Sequence, residues 1–197
     1  MHSMINRAIQ GFLCRYHGET IWSEIARQAG VSSEGFEPML RYDIGVSESL
    51  IRAACSVLGC DRFNLLEDLG AYLVSLERVR RLLRFGGADY VEFLFSLDEI
   101  RERGLMTLPN VELPQMTFSQ RSPLDFVVEV GGDCADWVAV TAGMLRAMSD
   151  DYGTLAVIEP VPAGPGRAGH VRVQVLEADF SDGRSFALVE PELRGIA

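Results

Sequence analysis

The sequence is short of the residues that metal, nucleotide and hydrolytic chemistry need. Its only histidines, His2, His17 and His170, lie far apart, and none pairs locally with a cysteine or carboxylate. The four cysteines (Cys14, Cys55, Cys60, Cys134) include no CxxC pair. That spacing argues for reduced thiols and against a zinc framework. Cys55 and Cys60 bracket a helix end, but no second pair completes a tetrahedral site. HExxH and GxSxG are absent, and the glycines from Gly164-x-Gly166 onward lack the helix start of a phosphate loop. The opening residues lack the layout of a secretory leader and no apolar run approaches a membrane span, so a cytoplasmic location is expected.

Positive charge is also scarce. Eighteen Lys and Arg against 28 Asp and Glu leave a formal charge of −10. Such a surface repels phosphate backbones and anionic lipid, which excludes nucleic acid and membrane surfaces as expected partners. The one basic run, Arg78, Arg80, Arg81 and Arg84, is interleaved with Leu82, Leu83 and Phe85 and reads as a solvated helix face.

What is present suits one medium-sized domain, or two intimate subdomains: 197 residues, 48% of them hydrophobic. Helical periodicity runs through residues 2–17 and again from Thr20 to a stop at Gly30. Ser47 is expected to open the next helix, stopped by Gly59, and Asp61 to cap a fourth. A further stretch ends at Gly86-Gly87, and Asp89 is expected to cap a helix running to about Arg103.

The pattern changes after Gly104. Pro109 and Pro114 punctuate an extended segment, followed by a β run at 126–130, an amphipathic helix over 135–151 and a strand from Thr154 to Ile158. Residues 170–175 alternate with period two, and Asp182-Gly183 suggests a hairpin returning through Phe186 to Val189. The expected class is α+β: a helical subdomain over 1–112, then a subdomain over 113–197 with an antiparallel sheet and one long helix.

Arg101 stands out by position. It follows Leu97, Leu94 and Phe93 by four, seven and eight residues, along the apolar face of its helix. One reading is a helix-end arginine whose stem packs while its guanidinium reaches water. The other is a cation at the mouth of a buried pocket.

The segments MHSMINRAIQGFLCRYHGETIWSEI, MLRYDIGVSESLIRAACSVLG, LLEDLGAYLV, LLRFGGADYVEFLFSLDEIRERGLMTLPNVELP and LRAMSDDYGTLAVIE, in that order, resemble H-NOX (heme–nitric oxide/oxygen binding) domains. That family includes the sensory domain of soluble guanylate cyclase. The resemblance implies an H-NOX-like fold with heme between the two halves. It also implies a heme-ligating histidine late in the 89–103 helix and a Tyr-x-Ser-x-Arg clamp on the propionates. Here the histidine position holds Arg101, with Pro109 and Pro114 following in register, and arginine has no free lone pair for iron. The clamp positions hold Val130, Gly132 and Cys134, with Asp133 among them to repel a propionate.

By the same resemblance, pocket lining falls to Ile5, Ile9, Leu73, Phe93, Leu97, Arg101, Pro114, Val130 and Met144, positions that read equally well as packed core. The implied function is a stand-alone, non-enzymatic signalling module, heme-free or altered in ligand binding. The family's bacterial members suggest a separate histidine kinase or cyclic-nucleotide or dinucleotide enzyme as partner, and a small apolar or anionic molecule is an alternative pocket ligand. A second reading is a gas sensor with iron held by His2, His17 or Cys14. A third is a small-molecule carrier or enzyme on the same scaffold.

Overall fold

The computed structural model describes residues 3–37, 42–99, 102, 104, 114–131, 136–164 and 168–186. Helix α1 (Ser3–Ala29) contains two helical stretches that meet at Gly18, whose φ of 84° is left-handed and cheap only for glycine. The second stretch ends at Gly30, and buried Trp22 donates its indole N–H to the Ser33 carbonyl at 2.8 Å, tying down the chain that follows.

Helix α2 (Ile44–Leu58) starts one turn earlier than expected. Asp43 caps it by accepting from the Gly45 N–H at 2.7 Å, and Ser47 lies inside it. Ser47 is buried and donates to Asn6 of α1, a polar pair that sequence spacing does not reveal. Asp61 does cap α3 (Arg62–Ser75), accepting from Phe63 and Asn64. Two short helices follow, α4 (Glu77–Arg84) and α5 (Tyr90–Phe95), the latter capped by Asp89 as expected. The helix from Asp89 is interrupted at Ser96, whose hydroxyl donates to the Phe93 carbonyl at 2.8 Å. Helical backbone resumes at Leu97–Glu99.

The remainder alternates strand and helix: β1 (Met116–Ser122), β2 (Asp125–Val130), α6 (Asp136–Tyr152), β3 (Leu155–Val161) and β4 (Gly169–Glu177). The strands form one antiparallel sheet in the order β1-β2-β4-β3. Period-two alternation sends Phe126, Val128 and Val130 of β2 and Val171, Val173 and Val175 of β4 to the inner face, under α6. Among the described residues the hairpin expected at Asp182-Gly183 has no strand after its turn. Residues 182–186 carry no strand and are held instead by backbone bonds from Ser181 to Gly153 and from Arg184 to Asp151; Val189 lies outside the described residues.

Two apolar cores result. One lies among α1, α2 and α3, around Leu13, Trp22, Ile25, Leu50, Leu66 and Tyr72. The other lies under the sheet, where Tyr90, Phe93, Leu94 and Leu97 meet Phe126, Leu145 and Met148. Helices α3 and α6 pack between them backbone to backbone. Gly70 lies against the Val140 carbonyl and Gly143 against the Glu67 carbonyl, and a Cβ at either would penetrate the facing oxygen.

Candidate functional site

The residues assigned to a pocket divide between the two cores. Ile5 and Ile9 of α1 pack with the helical core; Phe93, Leu97, Val130 and Met144 belong to the core under the sheet. Leu73 on α3 and Pro114 before β1 are half-buried. The set is therefore divided between the two cores, whose boundary, the seam, carries the α3–α6 contact. His2, Arg101, Gly132 and Cys134 lie outside the described residues.

Three arginines fasten α6. At its first turn Asp136 accepts two hydrogen bonds from Arg62 of α3, at 2.8 and 2.6 Å, while the same guanidinium binds Glu48 of α2 at 2.9 and 2.6 Å. These bonds hold the Glu48 carboxyl below the usual carboxylate range, against the opposing effects of burial and of Asp136. In mid-helix Arg146 pairs with Glu67 of α3 and donates to the Ile158 carbonyl at 2.8 Å; burial lowers the pKa of its guanidinium. At the last turn Asp151 accepts from Arg80 of α4 at 2.7 Å, both side chains buried, and Arg80 also donates to the carbonyls of Arg184 and Ser185.

This last joint corrects the expectation of a solvated basic face. Arg80 is buried, and Arg84 stacks 4.0 Å above the Tyr152 ring with its Nε 3.7 Å from Asp151. The basic residues were legible, but their partner lies 71 positions away in the chain. Arg62 was missed for the same reason.

The described donors do not fit an axial ligand for heme. His17 is exposed at the Gly18 break, edge-on to Phe12 at 5.9 Å, and His170 lies on the outer face of the sheet, away from the seam. There His170 borders an open cleft of about 720 Å³ with Arg121, Glu129 and Val161. Cys14 donates its thiol to Glu19 at 3.7 Å. Burial, helped by the Glu19 charge, pushes that thiol up to about 11, away from the thiolate that iron would take. Val130 is buried and apolar and offers nothing to a propionate. Among the described residues no three His, Cys, Asp or Glu side chains gather to hold a metal ion, and no helix is long and apolar enough to cross a membrane.

Comparison with known proteins agrees with this architecture. Residues 2–158 match the model of the Haem-NO-binding family, HNOB. Soluble guanylate cyclase gcy-31 of Caenorhabditis elegans is 25% identical over 164 residues, covering 81% of this chain. The chain spans only 23% of that relative's length. Among solved structures, the Fe(II) unliganded H-NOX protein from K. algicida superposes with a TM-score of 0.77 at 16% identity, covering 90% of this chain and 97% of that one. A mutant of T. tengcongensis H-NOX gives 0.76 at 15% identity, covering 90% and 99% respectively. At such identities these structures speak for the fold alone.

Proposed function

The chain belongs to the Haem-NO-binding family, and from that premise we propose that it is a heme-free member: a cytoplasmic sensory module that signals through a protein partner and catalyses no reaction itself. The observation that carries the reading is the donor set. His17 and His170 face away from the seam, Cys14 holds its proton, and Val130 presents apolar surface where a propionate clamp is expected. Arg101 at the ligand position, with Gly132 and Cys134 at the clamp, points the same way, since a guanidinium cannot ligate iron. The two subdomains, 1–112 and 113–197, would then meet across a seam that transmits through α6, whose arginine joints reach α2, α3 and α4. A separate histidine kinase or a cyclic-nucleotide or dinucleotide enzyme is the partner proposed, by family.

The test is heme reconstitution of the full chain followed by gel filtration and an absorbance scan. The expected result is no retained Soret band. A stable band lost in one of His2→Ala, His17→Ala or Cys14→Ala would overturn the proposal in favour of rewired ligation and would name the ligand.

A further inference from the structure

The end of α2 carries a dithiol that the seam does not use. Gly59 follows the helix in the left-handed region, with φ 64° and ψ 30°. Both the Gly59 and Cys60 N–H groups bond to the Cys55 carbonyl, the second at 3.2 Å. This is the Schellman arrangement, which folds the residue after the glycine back onto the last helical turn and brings those two side chains together. Here the two side chains are Cys55 and Cys60, set at the two positions that this cap folds onto each other. Both are half-buried, so a small oxidant can reach them while a second protein chain cannot easily do so.

We propose that Cys55 and Cys60 form a redox-sensitive pair whose disulfide is the input signal of this module. The geometry needs no large rearrangement of the chain, because the helix cap already folds Cys60 back onto the turn that carries Cys55. With hydrogen peroxide as oxidant the step balances. Cys60 attacks as thiolate; an S–O bond forms, the O–O bond breaks, and the departing hydroxide takes up a proton to become water. The Cys55 sulfur then attacks the Cys60 sulfenic sulfur; the S–S bond forms and the S–O bond breaks. That second hydroxide leaves with the Cys55 proton as water. The two sulfurs lose two electrons and the peroxide gains two.

The order of attack follows from the surroundings. Burial first, then the charge and hydrogen bond of Cys60, raise the Cys55 thiol above its ordinary value, with Arg62 acting in the opposite direction. Cys55 therefore keeps its proton and resolves, and Cys60 meets the oxidant. Cys60 is followed directly by Asp61, the cap of α3, and by Arg62, which holds Glu48 and Asp136. A disulfide pins this turn, so oxidation is read at the first turn of α6.

The test uses the full chain, reduced and then titrated with hydrogen peroxide. The four thiols counted in denaturant should fall to two, with peptide mapping joining Cys55 to Cys60. Amide hydrogen exchange should change at residues 59–64 and at the first turn of α6. Cys55→Ser should stop at a Cys60 sulfenic acid that dimedone traps, and Cys60→Ser should abolish both the bond and the exchange response. The proposal is overturned if the bond links Cys14 or Cys134, or two chains, or if the 55–60 bond forms and α6 exchange is unmoved. Should a serine variant not fold, the mapping and exchange of the unmutated protein decide. Heme binding plays no part in any readout, so this inference and the heme-free reading can fail separately.

Discussion

At its first turn α6 meets Arg62, a side chain 35% exposed and shared between Glu48 and Asp136; at its last turn it meets Arg80, 5% exposed, on Asp151, 4% exposed. Both joints are arginine–carboxylate pairs with hydrogen bonds below 3 Å, and both connect α6 to the preceding helices. The medium separates them. Water screens the first, so its attraction is worth little net free energy and responds to salt. The second is almost dry, so each buried charge has little besides its partner to offset the loss of water. One end of α6 is thus adjustable by solution chemistry and the other is fixed, which is why a signal entering at the α2–α3 turn can move the first without undoing the fold.

The largest effect is expected where the buried joint is broken. Arg80→Met leaves the Asp151 carboxylate buried, with its Oδ2 already lacking a hydrogen-bond partner, and frees the carbonyls of Arg184 and Ser185. Removing one member of a buried pair costs about 3–5 kcal/mol. Urea denaturation should show that loss, and the double variant Arg80→Met with Asp151→Leu should recover part of it, since the pair's own charges are gone while Arg84 loses its carboxylate neighbour. If Arg80→Met unfolds no more easily than an Arg62 variant, the contrast between the two ends fails.

Between the joints the α3–α6 contact depends on missing side chains. Gly143→Ala places a methyl into the Glu67 carbonyl, and Gly70→Ala does the same to the Val140 carbonyl, both backbone oxygens that cannot swing away. Overpacking of this kind costs about 1–3 kcal/mol, set against a small gain in helix propensity. Gly164→Ala is the control: nothing lies within 4 Å of a Cβ there, so its unfolding midpoint should shift by less than about 0.5 kcal/mol equivalent.

Much of this fold was legible in the residues. The caps at Asp61 and Asp89, the stop at Gly30 and the alternation of 126–130 and 170–175 are local signals, and each element formed where its signal stood. The errors share one cause. Serine favours a cap position, yet Asp43 caps α2 and Ser47 turns inward to Asn6. The basic run read as solvated because an arginine's partner 71 positions away leaves no local mark. The turn at Asp182-Gly183 carried hairpin residues, but buried Arg80 captured the carbonyls of Arg184 and Ser185 that a sheet ladder would have used. Of the candidate site, periodicity and resemblance pick out apolar positions, and Phe93, Leu97, Val130 and Met144 fall in one core while Ile5 and Ile9 fall in the other. The Cys55–Cys60 arrangement is half-readable, as two cysteines bracketing a helix end; the left-handed Gly59 is what folds Cys60 back toward Cys55.

The smallest effect belongs to the exposed joint, and acid is the way to isolate it. Arg62→Gln should cost less than about 1 kcal/mol near neutral pH, since its guanidinium is a third exposed and water competes for both carboxylates. Hydrogen bonding from Arg62, outweighing burial, depresses the folded-state pKa of Glu48. A depressed carboxyl adds stability that is complete above its unfolded value of about 4.3 and disappears as pH falls through the lower folded value. The urea midpoints of the unmutated chain and Arg62→Gln should therefore differ near neutral pH and converge as the pH falls through the lowered folded value of Glu48. Raised salt at neutral pH should narrow the same gap by screening. A gap that persists in acid would mean that Arg62 acts through the packing of its stem rather than its charge, and the two ends of α6 would then differ in burial but not in kind.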